Sequence, residues 1–145
     1  MKNLDSQKSI ILRTFILCLL LFVPFSALAE KSEEKAAIDA AEHFLQLIDS
    51  GQYQESWQQT APFFQSQVSQ KQWADQLQNV QPLFGAAEKR AIKSARHATS
   101  LPGAPDGKYF VLQFDTVFVK KKGALETVTM SQIDEQWQVA GYFIR

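Results

Sequence analysis

Residues 101–119 read LPGAPDGKYFVLQFDTVFV, and here the chain changes from helical spacing to strand spacing. Two prolines without a backbone donor and two glycines that tolerate positive φ make its first seven residues a loop. From residue 108 to residue 120 the chain then has the alternation of a half-buried strand, and we expect its aromatic face to be the core side of a sheet. That face carries Phe110, Leu112, Phe114 and Phe118, and it is interrupted by Thr116.

Helical spacing precedes this loop. Residues 33–49 carry apolar side chains three and four positions apart, which predicts an amphipathic helix that stops at Gly51. Ser69 and Gln72 have the spacing of a capping box and predict a later helix, which Pro82 is expected to close.

Strand spacing follows the loop. Strands are predicted over residues 88–99 and 125–133 and from 137 to the chain end, with Val128 and Met130 facing inward. A glycine inside the last strand, Gly141, indicates a bulge or a close packing contact. The expected class is α+β, with N-terminal helices packed in a curled antiparallel sheet of about four strands.

The N-terminus has the three parts of a secretory signal peptide, namely a basic start, an apolar run and small residues at Ala27 and Ala29. The apolar run is shorter than the roughly 20 residues of a membrane-spanning helix, and Pro24 interrupts it. We therefore predict a signal peptide over 1–29, cleaved after Ala29, and a single α+β domain over 30–145. The expected location is periplasmic or secreted, without stable membrane insertion after cleavage.

Composition of the mature part restricts its chemistry. It holds 12 basic and 14 acidic residues, a formal charge of −2, so no nucleic-acid partner is predicted. The single cysteine, Cys18, lies in the signal peptide, which excludes thiolate catalysis and cysteine metal sites from the mature chain. His43 and His97 have no third ligand at useful spacing, and neither a metal nor another cofactor is expected.

Four segments together carry a family resemblance: LIDSGQY at 47–53, SW at 56–57, LPGAPDGKY at 101–109 and WQVAGYF at 137–143. Their combination resembles the uncharacterised bacterial domain-of-unknown-function family numbered 4019, over nearly the whole mature chain. The resemblance implies exported proteins with a cone-like fold, similar to nuclear transport factor 2 or to cystatins. The resemblance implies no catalytic residue.

Isomerase-like enzymes of that fold use a carboxylate and a tyrosine inside the cone. The candidates for these roles in this chain are Asp115, Tyr109 and Tyr142. Their positions have the parity opposite to that of the aromatic face, so we expect all three side chains to point outward. No Gly-x-Ser-x-Gly motif is present, and no catalytic residue is predicted. The leading hypothesis is a non-catalytic envelope domain that binds a small apolar ligand or a protein partner. The alternative is a small pocket enzyme, an isomerase or a hydrolase, with its site in the cone.

The outer face of the sheet carries more apolar residues than we expect for a face that contacts only water. These residues lie on the strand over 108–120 and on the last strand. If these two strands lie near each other, the residues form one patch, which favours ligand binding, a partner complex or a homodimer. The candidate binding residues are Tyr109, Val111, Asp115, Val117, Val119 and Tyr142.

Overall fold

The computed structural model describes residues 25–145. The chain forms two compact units, Met1–Glu33 and Glu34–Arg145, and only the beginning of a helix is described in the first. Most of the predicted signal peptide therefore lies outside the described residues. No helix in the described part is both long and apolar enough to cross a membrane.

Helices come first along the chain and strands follow. The helices are α1 (Phe25–Asp49), α2 (Tyr53–Gln58), α3 (Pro62–Gln67) and α4 (Gln70–Phe84). The strands are β1 (Ala87–Ala98), β2 (Tyr109–Phe118), β3 (Ala124–Ile133) and β4 (Gln136–Ile144). All neighbouring pairs are antiparallel in the order β1-β2-β3-β4, which confirms the α+β class and the four-stranded sheet. The sheet is open, and β1 and β4 are its edges.

Two of the three predicted helix boundaries are confirmed. Helix α1 ends at Asp49, where Gly51 follows with φ of 72°, and the capping box of Ser69 opens α4. The prediction that Pro82 closes α4 is wrong, because the helix continues to Phe84. In its last turn a proline removes one backbone donor, and Lys120 supports this end by donating to the carbonyls of Pro82 and Phe84.

The core lies between α1 and one face of the sheet. The apolar stripe of α1, centred on Phe44, is fully buried against the aromatic face of β2, so the predicted parity of β2 is confirmed. Val128 and Met130 of β3 are 0% and 1% exposed, as expected for inward positions. The buried cluster also includes Ala37, Ala41, Leu45, Ile48, Trp73, Leu77, Phe110, Leu112, Phe114 and Val139.

A β-bulge changes the facing of β4 halfway along the strand. Thr129 pairs with Gly141 but Met130 pairs with Val139, so Ala140 is an extra residue. Val139 faces the core, whereas beyond the bulge Tyr142 turns inward and Phe143 is 60% exposed. The bulge suggested by Gly141 is present, but the outward orientation predicted for Tyr142 is wrong.

We predict that Phe114→Ala lowers the free energy of unfolding by about 3–5 kcal/mol, because Phe114 is fully buried and its removal leaves a cavity. Gln113→Ala, one residue earlier on the opposite face, should cost less than about 1 kcal/mol. Denaturant unfolding of the two variants measures both values. An equal loss for the two would contradict the assignment of the core face.

Candidate functional site

A row of polar side chains crosses the core face of the sheet. Each strand contributes one member: Arg90 from β1, Thr116 from β2, Glu126 from β3 and Tyr142 from β4. The register places Arg90 opposite Thr116, while Glu126 lies diagonal to both Thr116 and Tyr142. Asp49, the last residue of α1, completes the row from the helix side through Arg90.

Glu126 is the centre of this row, and its side chain is 1% exposed. Arg90 donates to both carboxylate oxygens, with Nε 2.7 Å from Oε2 and Nη2 3.3 Å from Oε1. The Thr116 hydroxyl donates to Oε2, and the Tyr142 hydroxyl donates to Oε1 at 2.7 Å. A carboxylate has about four acceptor positions, so these four bonds satisfy it completely.

Arg90 joins two carboxylates. Besides Glu126 it binds Asp49, with Nη1 2.7 Å from Oδ2 and Nη2 3.1 Å from Oδ1. Burial alone would lower the pKa of Arg90, but the hydrogen bonds to Asp49 and Glu126 outweigh it and hold the pKa above its ordinary value. The guanidinium therefore stays charged, and it links the end of α1 to β1 and β3.

Tyr142 is a permanent donor in this arrangement. Burial, and next the negative charge of Glu126 beside it, raise the pKa of the Tyr142 hydroxyl above its ordinary value. Its ring also contacts Phe44 and Trp73, with centroids 5.8 Å and 6.2 Å away. Tyr142 therefore couples the polar row to the aromatic core.

The polar row is suited to stabilising the fold rather than to proton transfer. A general base must have a lone pair within reach of the substrate proton, and every acceptor position of Glu126 is already occupied. Breaking such a buried pair is costly, since it leaves one charge without compensation.

The sequence prediction did not include Glu126, Arg90 and Asp49 among the site residues, although two signals pointed to the first. Glu126 shares the inward parity of Val128 and Met130, and Thr116 is the one polar residue on the aromatic face. Buried together on adjacent strands, they satisfy each other. No sequence signal identified Arg90, because β1 is mostly exposed and lacks a clear alternation.

The opposite, outer face of the sheet contains a hollow of about 390 Å³, which we call the outer hollow. All four strands contribute to its floor, β2 with two residues and the other strands with one each, and its rim is formed by the loop after β1 and by Phe63 of α3. The lining residues are Phe63, Arg96, Leu101, Pro102, Gly103, Ala104, Tyr109, Val111, Thr129 and Ala140. A smaller depression of about 190 Å³ adjoins it and shares Arg96 and Val111.

The loop at the rim is held in place by its own hydrogen bonds. Ala104 N donates to Leu101 O at 3.2 Å, and Gly107 N donates to Thr99 O at 2.9 Å. The Tyr109 hydroxyl donates to Pro105 O at 2.6 Å, so this side chain is 4% exposed although it belongs to the outer face. Gly103 adopts φ of 78°, where a side chain would be strained. The rim is therefore a defined wall.

The structure separates the six candidate binding residues. Tyr109 and Val111 line the outer hollow. Asp115 is exposed and bonded to Lys93 at 2.9 Å, away from the hollow. Val117 is half-buried on the same face, and Val119 is 53% exposed just beyond β2. Tyr142 lies on the core face, because the bulge in β4 reverses its parity.

A second groove lies between α4 and the end of β4, with a volume of about 200 Å³. It is mostly apolar, but it is smaller than the roughly 300–1,000 Å³ of typical ligand sites. Its lining residues are Trp73, Gln76, Leu77, Val80, Phe84, Tyr142, Phe143 and Ile144. Within residues 25–145 no three potential ligands converge on a metal position.

Comparison with known families gives a match over most of the described chain. The model described as "Protein of unknown function (DUF4019)" matches residues 40–142, a range that covers both the polar row and the outer hollow. Comparisons with curated proteins and with solved structures give no match.

We predict that Arg90→Met lowers the free energy of unfolding by about 3–5 kcal/mol, because Glu126 keeps a buried charge without its counterion. Lys93→Met is the matched control on the same strand. Both side chains of the ion pair between Lys93 and Asp115 are exposed, so Lys93→Met should lower the free energy of unfolding by less than about 1 kcal/mol. Urea unfolding compares the two variants, and equal stability would show that the buried pair contributes nothing.

Proposed function

The chain belongs to the DUF4019 family, and we propose that it is an exported, non-catalytic envelope domain that binds a small, mostly apolar ligand in the outer hollow. The observation that carries this proposal is the convergence of all four strands and the 101–107 loop on one hollow. A volume of about 390 Å³ falls within the range of small-molecule sites, unlike that of the groove beside α4.

The character of the lining also supports a binding role. Seven of its ten lining residues have no polar side chain, and Thr129 and Arg96 are its polar side chains besides Tyr109, whose hydroxyl is engaged by the loop. A few polar groups in an apolar concavity are typical of ligand sites. Arg96 is the only lining residue with a charge, so the hollow holds no carboxylate that could act as a general base.

The alternative, a pocket enzyme with its site on the core face, has one supporting observation. Glu126 and Tyr142 do converge there, at 2.7 Å. The four donors on Glu126 weigh against it, because a substrate would have to displace one of them before reaching the carboxylate. The binding role is therefore the better supported of the two.

The finer fold assignment is also a proposal. A cone-like fold similar to nuclear transport factor 2 or to cystatins is supported by α1 packing on one sheet face and by the register shifts that bend β1 and β4. Export rests on the signal-peptide pattern of residues 1–29. N-terminal sequencing of the mature protein tests it, with Glu30 expected as the first residue and an intact N-terminus as the contradicting result.

A second copy of the chain is the other candidate occupant of the outer face. Phe143, on that face through the bulge, is 60% exposed, and Val119 is 53% exposed. A two-fold pairing would bury them, together with Val117, in one shared patch. Light scattering distinguishes this homodimer from a monomer. A dimeric mass that is halved by Val117→Lys would assign the outer face to self-association instead of ligand binding.

We predict that Val111→Lys weakens binding of the neutral dye Nile red by at least about tenfold, because the longer charged side chain fills and hydrates an apolar hollow. Val117→Lys is the matched control. Both valines are half-buried on the outer face of β2, and each lies opposite a basic residue of β1. Fluorescence titration of the two variants and the original chain gives the affinities.

The expected result is an unchanged Nile red affinity for Val117→Lys. Equal binding by Val111→Lys and the original chain would overturn the outer hollow as the site. Mass spectrometry of the organic extract of protein purified from its native envelope identifies the natural occupant. An extract without any small molecule, together with no Nile red binding, would remove the proposed function.

A further inference from the structure

The outer hollow contains a single charged residue, Arg96. This side chain is exposed near the C-terminal end of β1 and faces the hollow and the adjoining depression, where it lies opposite Val111. Among the described residues it has no hydrogen-bond or ion-pair partner, in contrast to Arg90 and Lys93 of the same strand. Its five donors are therefore directed at solvent beside an apolar surface.

We propose that the ligand of the outer hollow is a small molecule with an apolar body and one carboxylate, and that Arg96 binds the carboxylate. This inference rests on the proposed function, because it uses the same site. A guanidinium matches a carboxylate in a two-bond geometry, and an unpaired cation beside an acid-free lining favours an anion.

The arrangement of the lining sets the orientation of such a ligand. Val111, Ala140 and the 101–104 part of the loop offer apolar contacts, whereas Arg96, Ser94 and Gln113 surround the adjoining depression. The Gln113 carbonyl already accepts from the Ser94 hydroxyl at 3.2 Å, which leaves the Gln113 amide free to donate. The carboxylate therefore lies toward the depression, and the apolar body lies under the loop.

The test uses decanoate and decanol, two probes with the same chain and different head groups, in competition with Nile red at neutral pH. Decanoate should bind about fivefold more tightly than decanol, the strength of a favourable partly exposed ion pair. Arg96→Gln should remove this preference and leave decanol binding unchanged. Lys89→Gln removes one positive charge from the same strand, outside the hollow, and should keep the preference.

Salt dependence provides a second readout. The decanoate preference should shrink as ionic strength rises in the original chain, whereas Arg96→Gln should show no such dependence. Arg96→Lys should retain part of the preference, since it keeps the charge without the planar fork.

Three outcomes would overturn the inference. Equal affinity for decanoate and decanol, with both displacing Nile red, would refute the carboxylate and leave the hollow as a site for neutral ligands. An equal loss of preference in Arg96→Gln and Lys89→Gln would show a general charge effect. The third outcome combines two results: neither probe displaces Nile red, and Val111→Lys binds the dye as tightly as the original chain. This outcome would refute the proposed function as well.

Discussion

The buried carboxylate of Glu126 is the constraint on which the rest of the structure depends. Its side chain is almost fully enclosed, and an enclosed charge is tolerated only when it is paired and hydrogen-bonded. Its donors come from β1, β2 and β4, and Arg90 extends the connection to the end of α1. One carboxylate thereby connects all four strands and, through Arg90, the long helix, and we infer that it favours one relative register as well as stabilising the fold.

The two faces of the sheet differ in what they contribute: the core face stabilises the fold, and the outer face carries the hollow. On the core face, aromatic packing against α1 and the polar row leave the buried groups satisfied. The outer face has no helix of the described chain packed over its centre and keeps a hollow whose wall is the 101–107 loop. A binding role for the outer face then needs no disturbance of the core.

Sequence patterns predicted the parts of the fold that depend on local periodicity. The alternation in β2 identified Phe114 and its neighbours as core, and the capping box located the start of α4. The facing of Tyr142 could not be read in this way, because one extra residue at Ala140 reverses parity and depends on pairing with β3. Pro82 was misjudged because its effect depends on a lysine 38 positions away.

The candidate sites were harder to predict than the fold. Tyr109 and Val111 were identified from strand parity and do line the hollow, but Arg96 was not, because only the paired strands and the folded loop make it part of the hollow. Glu126 is inward by simple parity. Its donor Arg90 lies 36 positions away, and Arg90 in turn lies 41 positions from Asp49, separations that only tertiary structure bridges.

A double-mutant cycle on Arg90 and Glu126 tests the central claim, that this buried pair organises the fold, most directly. The cycle measures the free energies of unfolding of Arg90→Met, Glu126→Met and the double variant. We expect a coupling energy above about 1.5 kcal/mol, with the double variant more stable than Arg90→Met alone. Additive losses, within about 0.5 kcal/mol, would show that the two residues act independently and would contradict it.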